Sequence, residues 1–177
     1  MSLKIAEFGV GLVLLIIGLA FIFNTEGYGR GLRKFIRSST AGTMTFSAAG
    51  IWFLGHVATL GESDFGRYKW VFFAFFTFII VVTLLKLRDF LAVRGSAILA
   101  LLTSNELLKA AFLQPQESRL VLVTFVYGMI VAGMIFGGWP YKAREALDFI
   151  YASAARARFV GVLIAGYGLL VLSTLFW

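Results

Sequence analysis

The chain has 177 residues, of which 60% are hydrophobic and 14% are charged, and it has no cysteine. A soluble domain carries about a quarter charged residues, so this composition excludes an ordinary soluble fold and predicts an integral membrane protein. The lack of cysteine excludes disulfides, thiolate metal sites and covalent haem attachment. The net charge of +7 is interpreted as attraction to anionic lipid headgroups, not to nucleic acid, because the basic residues lie beside apolar segments.

Six apolar segments are close to the ~20 residues that a membrane-spanning helix needs. Irregular backbone is excluded from contact with lipid, so each segment is predicted to be a helix. The segments are 5–23, 42–60, 70–86, 96–113, 120–137 and 159–176. The sequence therefore predicts an all-α polytopic bundle of six transmembrane helices, forming a single transmembrane domain over residues 1–177, with 5–23 retained as a helix instead of cleaved as a signal.

The connections within the predicted helix pairs are basic and amphipathic. In GYGRGLRKFIRSS the apolar and basic residues lie on separate faces of a helix, which predicts a short helix on the headgroups, followed by Ser38 as a cap candidate. WPYKAREALDFIYAS repeats the plan, with Arg144 four residues before Asp148, and KLRDFLAVRG is interpreted as a shorter version. The residues expected to bind anionic headgroups are Arg30, Arg33, Lys34, Arg37, Lys142, Arg144, Arg156 and Arg158.

Basic residues are divided unequally between the two sides of this arrangement. The first, third and fifth connections carry eleven Lys and Arg residues, and the opposite side carries four. The positive-inside rule then predicts cytoplasmic basic connections and both termini outside, in the periplasm if the membrane is a bacterial inner membrane.

The chain also divides into three similar units, 1–60, 61–113 and 114–177, each consisting of a span, a basic connector and a span. This division is either a tandem repeat or the ordinary pattern of any membrane hairpin. The segments GLVLLIIGLAF, RGLRKFIRSS and GIWFL resemble small, uncharacterised bacterial inner-membrane hairpin proteins, in which two apolar helices flank an Arg-rich amphipathic turn. The resemblance covers about a third of the chain and implies a membrane location but no activity.

Polar side chains inside the predicted spans are the candidates for a functional site. Glu106 and Lys109 are three residues apart, so they share a helix face and can pair. Either they form an ion pair that fixes the helix in the bundle, or they belong, with the adjacent Asn105, to a proton or ion site. His56, the only histidine, lies near the same outer end and either binds backbone or water or takes part in such a site.

Four acidic residues map to the outer half of the predicted bundle and could complete a site with His56. Glu7 is two residues into the first span and is expected to be exposed to water. No metal or cofactor is expected, because one histidine without cysteine offers too few ligands. The four acidic residues are Glu7, Glu62, Asp64 and Glu106.

Two further patterns concern helix packing. Glycines in the first, fifth and sixth spans predict close packing of these three helices. The third span, WVFFAFFTFIIVV, is aromatic on all sides, which suits a helix facing lipid or another subunit.

No sequence pattern fixes a reaction, since Walker, HExxH and GxSxG motifs are absent. The first hypothesis is a non-catalytic accessory or assembly subunit of a membrane complex, or a homo-oligomer. The alternative is a small channel or transporter with an outer-facing polar pathway around Glu106, Lys109 and His56. An intramembrane or lipid-processing enzyme that uses the outer acids is a third hypothesis.

Overall fold

The structure, a computed structural model, describes residues 2–61, 66–86, 89–115 and 117–176. The described residues form eight α-helices, which confirms the all-α class. Short 3₁₀ turns at Gly66–Tyr68 and Thr174–Phe176 precede α4 and follow α8. The helices are α1 Leu3–Phe23, α2 Thr25–Arg37, α3 Ser39–Ala58, α4 Lys69–Lys86, α5 Leu91–Ala111, α6 Arg119–Gly138, α7 Tyr141–Ile150 and α8 Ala154–Ser173.

Within the described residues, five helices are long and apolar enough to cross a membrane, namely α1, α4, α5, α6 and α8. These helices are compatible with a multi-pass membrane protein. The remaining long helix, α3, is as long as α6, at 20 residues. Its small and hydroxyl side chains make it less apolar. Five of the six predicted spans therefore coincide with helices that could cross a membrane, and the count of six stays a prediction.

Helices α1 and α8 pack against each other in antiparallel fashion along a seam of glycines. A Cβ atom at Gly18 would lie 2.7 Å from the carbonyl oxygen of Gly161, and one at Gly11 would lie 3.0 Å from that of Gly168. The prediction of close packing through glycine is therefore confirmed for the first and sixth spans. In the fifth span, α6, Gly133 faces Leu101 of α5, so this glycine packs against the fourth span.

Helices α3 and α5 lie side by side and run parallel. The facing pairs Gly42–Ala92, Thr45–Gly95 and His56–Glu106 are each separated by 50 residues, so the register is constant along the contact. Close approach is possible because Gly42 and Gly95 have no side chains. Parallel packing requires the chain to return between the two helices, and α4 provides that return.

Helix α4 lies at the edge of the bundle. It contacts α3 through an edge-to-face pair of Phe76 with Phe53, whose ring centroids are 4.9 Å apart, and through Ile80 against Gly50. None of the residues of α4 is buried. The helices thus form an open row in which α4 packs on α3, α3 on α5, α5 on α6, and α1 on α8, with α1 also touching α5 and α6.

The amphipathic helices α2 and α7, predicted from the basic connectors, are both present and contact each other. Ser38 caps α3 as expected, because its Oγ accepts a hydrogen bond from the backbone N–H of Ala41 at 3.1 Å. The third connector differs from the expectation: its described part from Leu91 onward is the start of α5, not a separate interfacial helix. The reason is that Leu91 and Val93 are buried, with Leu91 against Gly42 of α3, while Leu87 and Arg88 lie outside the described residues.

Candidate functional site

A polar cluster forms where the C-terminal ends of α3 and α5 meet. The Glu106 carboxylate oxygen Oε1 accepts a hydrogen bond from Lys109 Nζ at 2.9 Å and one from Asn105 Nδ2 at 3.3 Å. His56 Nε2 of α3 lies 3.3 Å from the same oxygen. Helical spacing accounts for the first contact, since Glu106 and Lys109 are three residues apart. The contact with His56 arises only from the parallel packing of α3 on α5.

The hydrogen bonds of His56 define where its protons lie. Nδ1 is 3.1 Å from the carbonyl oxygen of Trp52, and a carbonyl can only accept, so Nδ1 carries a hydrogen. Nε2 faces a carboxylate oxygen of Glu106, so a second proton is needed between these two atoms. The contact between His56 and Glu106 therefore needs one proton of its own, in addition to the hydrogen on Nδ1.

The cluster lies near the end of α5 and is partly exposed. The side chains of His56, Glu106 and Lys109 are 35%, 41% and 58% exposed. Lys109 is two residues from the last residue of α5, or ~3 Å along the axis, and Glu106 is five residues from it, or ~7 Å. All three side chains are therefore partly accessible, and none is enclosed by the bundle.

Metal binding is poorly supported by this geometry. In the part of the chain that the structure describes, no group of three His, Asp or Glu side chains converges. In addition, Lys109 Nζ already occupies the carboxylate oxygen that His56 faces, and its positive charge repels a cation. Glu62 and Asp64, the other acids considered for this end, lie outside the described residues.

Glu7 belongs to a different location from the Glu106 cluster. It is 1% exposed, which corrects the expectation that water reaches it. Ser118 Oγ donates a hydrogen bond to Glu7 Oε1 at 3.4 Å, and Thr174 contributes a further polar contact. The carboxyl is covered because the beginning of α6 and the turn after α8 pack over the beginning of α1. Ser118 and Thr174 were not predicted from the sequence as partners of Glu7. The signal that could have indicated them was a hydroxyl residue beside the end of a span.

The surroundings of Glu7 are apolar. Buried residues of α1, α5 and α6 form one cluster beside it, comprising Leu3, Ala6, Leu107, Ala110, Ala111, Leu122 and Val126. A carboxyl among such residues has few partners beyond the two hydroxyls, so these contacts determine the cost of keeping it buried.

The basic residues predicted to bind headgroups are exposed, on α2, α7 and the first turn of α8. One contact among them was not predicted: Arg33 Nη2 of α2 lies 3.2 Å from Asp148 Oδ1 of α7, while the predicted partner Arg144 is 3.8 Å from Oδ2 of the same carboxylate. Asp148 therefore links the two amphipathic helices and draws two guanidinium groups together. Exposed ion pairs of this kind add little stability by themselves.

Tyr151, just after α7, packs between α1 and α2. Its ring stacks on Phe21 with centroids 5.6 Å apart and lies directly over Gly29, where a Cβ atom would be 2.7 Å away. Burial raises the pKa of the Tyr151 phenol, and the neighbouring Tyr28 adds to this rise. The hydroxyl is buried and has no hydrogen-bond partner among the described residues.

No family model matches the chain, and no curated protein or solved structure is similar enough to be counted as a relative. The function is accordingly argued from the geometry of the described residues.

Proposed function

We propose that the protein is a non-catalytic membrane subunit that works by contact, either as an accessory or assembly subunit of a membrane complex or as a homo-oligomer. The observation that carries this proposal is the position of α4, an 18-residue helix at the edge of the row with no buried residue. Its outward face is aromatic, with Phe75 and Phe78 56% and 67% exposed. Association of helices in lipid depends on packing area, which aromatic side chains supply.

The absence of cysteine makes this proposal testable by crosslinking in the membrane. Phe78→Cys places a thiol on the outward face of α4, and Leu163→Cys, on an exposed face of α8, is a matched control. We expect an oxidant to crosslink the Phe78→Cys variant to itself or to another membrane protein identified by mass spectrometry, but not the control. Equal crosslinking of both variants, or of neither, would count against α4 as the contact surface.

We also propose that α3 is a sixth span, so that both termini face the periplasm of a bacterial inner membrane and the basic connectors face the cytoplasm. The constant register between α3 and α5 supports this, because a helix packed in register along a spanning helix extends through the same depth of the bilayer. The hydroxyls of Thr43 and Thr45 donate to carbonyl oxygens one turn earlier at 3.0 and 2.8 Å, which satisfies them without water.

Single cysteines at the two ends of the α2–α3 segment distinguish six spans from five. Gly31→Cys lies on α2, where a Cβ atom meets nothing within 4 Å, and Thr59→Cys follows α3. We expect a membrane-impermeant maleimide on intact cells to label residue 59 and to label residue 31 only after permeabilisation. Labelling of both from one side would show that α3 does not cross.

The contact between His56 and Glu106 favours a second candidate function, a small channel or transporter that moves protons through an outer-facing polar pathway. Support comes from the single proton that the pair must hold and from its partial exposure. Proton flux into proteoliposomes containing a pH-sensitive dye tests it: His56→Gln and Glu106→Gln should each abolish flux, whereas Asn105→Ala should retain it. A wild-type protein without flux above empty liposomes would exclude this function.

A further inference from the structure

Two cavities adjoin each other at the end of the bundle covered by the amphipathic helices. One has a volume of about 400 Å³ and lies under α2 and α7, against the halves of α5 and α6 nearest to them. The other has a volume of about 370 Å³ and opens at the surface between α2, α7 and the start of α5. Ile36 and Leu147 line both cavities, so the two cavities meet at these side chains.

The first cavity is almost entirely apolar. It is lined by Leu32 and Phe35 of α2, Ala97 and Ala100 of α5, and Ala132 and Phe136 of α6. The small alanine side chains on α5 and α6 leave the space that α2 and α7 cover. A volume of this size falls in the range of ligand cavities, roughly 300–1,000 Å³, and its lining can bind a hydrocarbon chain but offers almost nothing to a polar molecule.

The second cavity is lined by charged as well as apolar side chains. Three guanidinium groups line it, those of Arg33, Arg37 and Arg144, together with the Asp148 carboxylate. Asp148 pairs with Arg33 and Arg144, which leaves an excess of two positive charges in the lining. Arg37 forms no ion pair among the described residues, and it lines a neighbouring cavity together with Asp89.

We propose that the two cavities form one site for a single anionic phospholipid of the surrounding leaflet. The phosphate binds the guanidinium groups of Arg33, Arg37 and Arg144, whose fork geometry suits phosphate oxygens. One acyl chain passes Ile36 and Leu147 into the apolar cavity. The juxtaposition of a basic cavity and an apolar cavity selects a molecule with an anionic head and a hydrocarbon tail. This site is independent of the contact surface proposed on α4.

The test uses native mass spectrometry of the purified protein after exchange into an equimolar mixture of phosphatidylglycerol and phosphatidylcholine. We expect one phosphatidylglycerol retained per chain. The variant Arg33→Gln/Arg37→Gln/Arg144→Gln should lower the ratio of retained phosphatidylglycerol to retained phosphatidylcholine at least tenfold. The reason is that each basic residue near anionic lipid contributes about a fivefold change in affinity. The matched control, Arg67→Gln/Lys69→Gln/Arg119→Gln, removes the same charge at residues outside both cavities and outside the predicted headgroup-binding set, and it should retain most of the preference for phosphatidylglycerol.

A second pair of variants tests the apolar cavity without altering charge. Ala100→Phe fills the cavity and should lower lipid retention several-fold, whereas Ala74→Phe on exposed α4 should not. Thermal unfolding of each variant establishes that it is folded. Equal losses in the two triple variants, retention of phosphatidylcholine as readily as phosphatidylglycerol, or displacement of the lipid by inorganic phosphate alone would each overturn the proposed two-part site.

Discussion

His56 Nε2 on α3 lies 3.3 Å from Glu106 Oε1 on α5, across two helices that run parallel. The same oxygen accepts a hydrogen bond from Lys109 of its own helix. This arrangement joins a contact within one helix to a contact between helices, so Glu106 contributes to stability whether or not it also carries protons.

The coupling between His56 and Glu106 is measurable by a double-mutant cycle. We expect His56→Ala and Glu106→Ala to be non-additive by about 0.6 kcal/mol, the usual size of a hydrogen bond between membrane helices. The measurement is the free energy of unfolding in mixed micelles. A cycle of His56→Ala with Glu145→Ala, on α7, is the control and should be additive. Additivity of both cycles would show that the contact does not hold α3 to α5.

The glycine seam between α1 and α8 predicts a position-dependent effect of alanine. At Gly18 the added Cβ would lie 2.5 Å from the backbone nitrogen of Ala165, so the helices must separate, and we expect a loss of about 1–3 kcal/mol in unfolding free energy. At Gly166 nothing lies within 4 Å of such a Cβ, and alanine should stabilise α8 by up to about 1 kcal/mol. Equal effects at both positions would contradict the seam.

The burial of Glu7 predicts that its hydroxyl partner matters. Ser118→Ala removes the donor to a carboxyl that is 1% exposed, and we expect it to lower the unfolding free energy by about 1–3 kcal/mol. Ser173→Ala, at the same end of the bundle, is the control, because Ser173 Oγ bonds the carbonyl oxygen of Leu170 and should change stability little. If the two variants behave alike, Ser118 does not support Glu7.

Removal of the Tyr151 hydroxyl should not harm the protein. The hydroxyl has no partner among the described residues, so Tyr151→Phe keeps the stacked ring and should leave stability unchanged or raise it by about 1 kcal/mol. A loss of more than that amount would mean that the hydroxyl is hydrogen-bonded after all.

The raised pKa of Tyr151 gives the same variant a pH signature. Burial favours the neutral phenol in the folded state, so the folded pKa lies above the ordinary value of 10.0. The stability that this group contributes is complete below pH 10 and is lost as the pH rises above it, because the unfolded chain ionises first. The wild-type protein should therefore lose more stability than Tyr151→Phe between pH 9 and pH 11, as measured by thermal unfolding. A constant difference between the two would contradict the assignment.

Periodicity and length predicted the helices because each long helix is encoded within its own residues. The pairing of Glu106 with Lys109 followed for the same reason, and so did the two amphipathic helices α2 and α7. The contact of His56 with Glu106 did not follow, because it depends on which helices become neighbours. No pattern within α3 or within α5 indicates that residues 50 positions apart face each other.

Burial of polar residues near helix ends was also outside the reach of local patterns. Glu7 was expected to be exposed to water because it lies two residues into a span. In the structure, α6 and the turn after α8 cover it. Arg33 and Asp148 meet for a comparable reason, since they belong to connectors more than a hundred residues apart in the chain. Local sequence gives the faces of a helix, whereas the partners of those faces are a property of the assembled bundle.

The close packing of α1 against α8 has a consequence for how the protein is made. Helix α1 comprises Leu3–Phe23, and its principal neighbour α8 begins at Ala154. At about 5–20 residues per second of synthesis, α1 waits roughly 7–26 seconds in the membrane before α8 emerges. During that interval its glycine face is uncovered, so the contact between α1 and α8 forms only after α2 to α7 have been synthesised, and truncation before α8 would leave α1 without its main support.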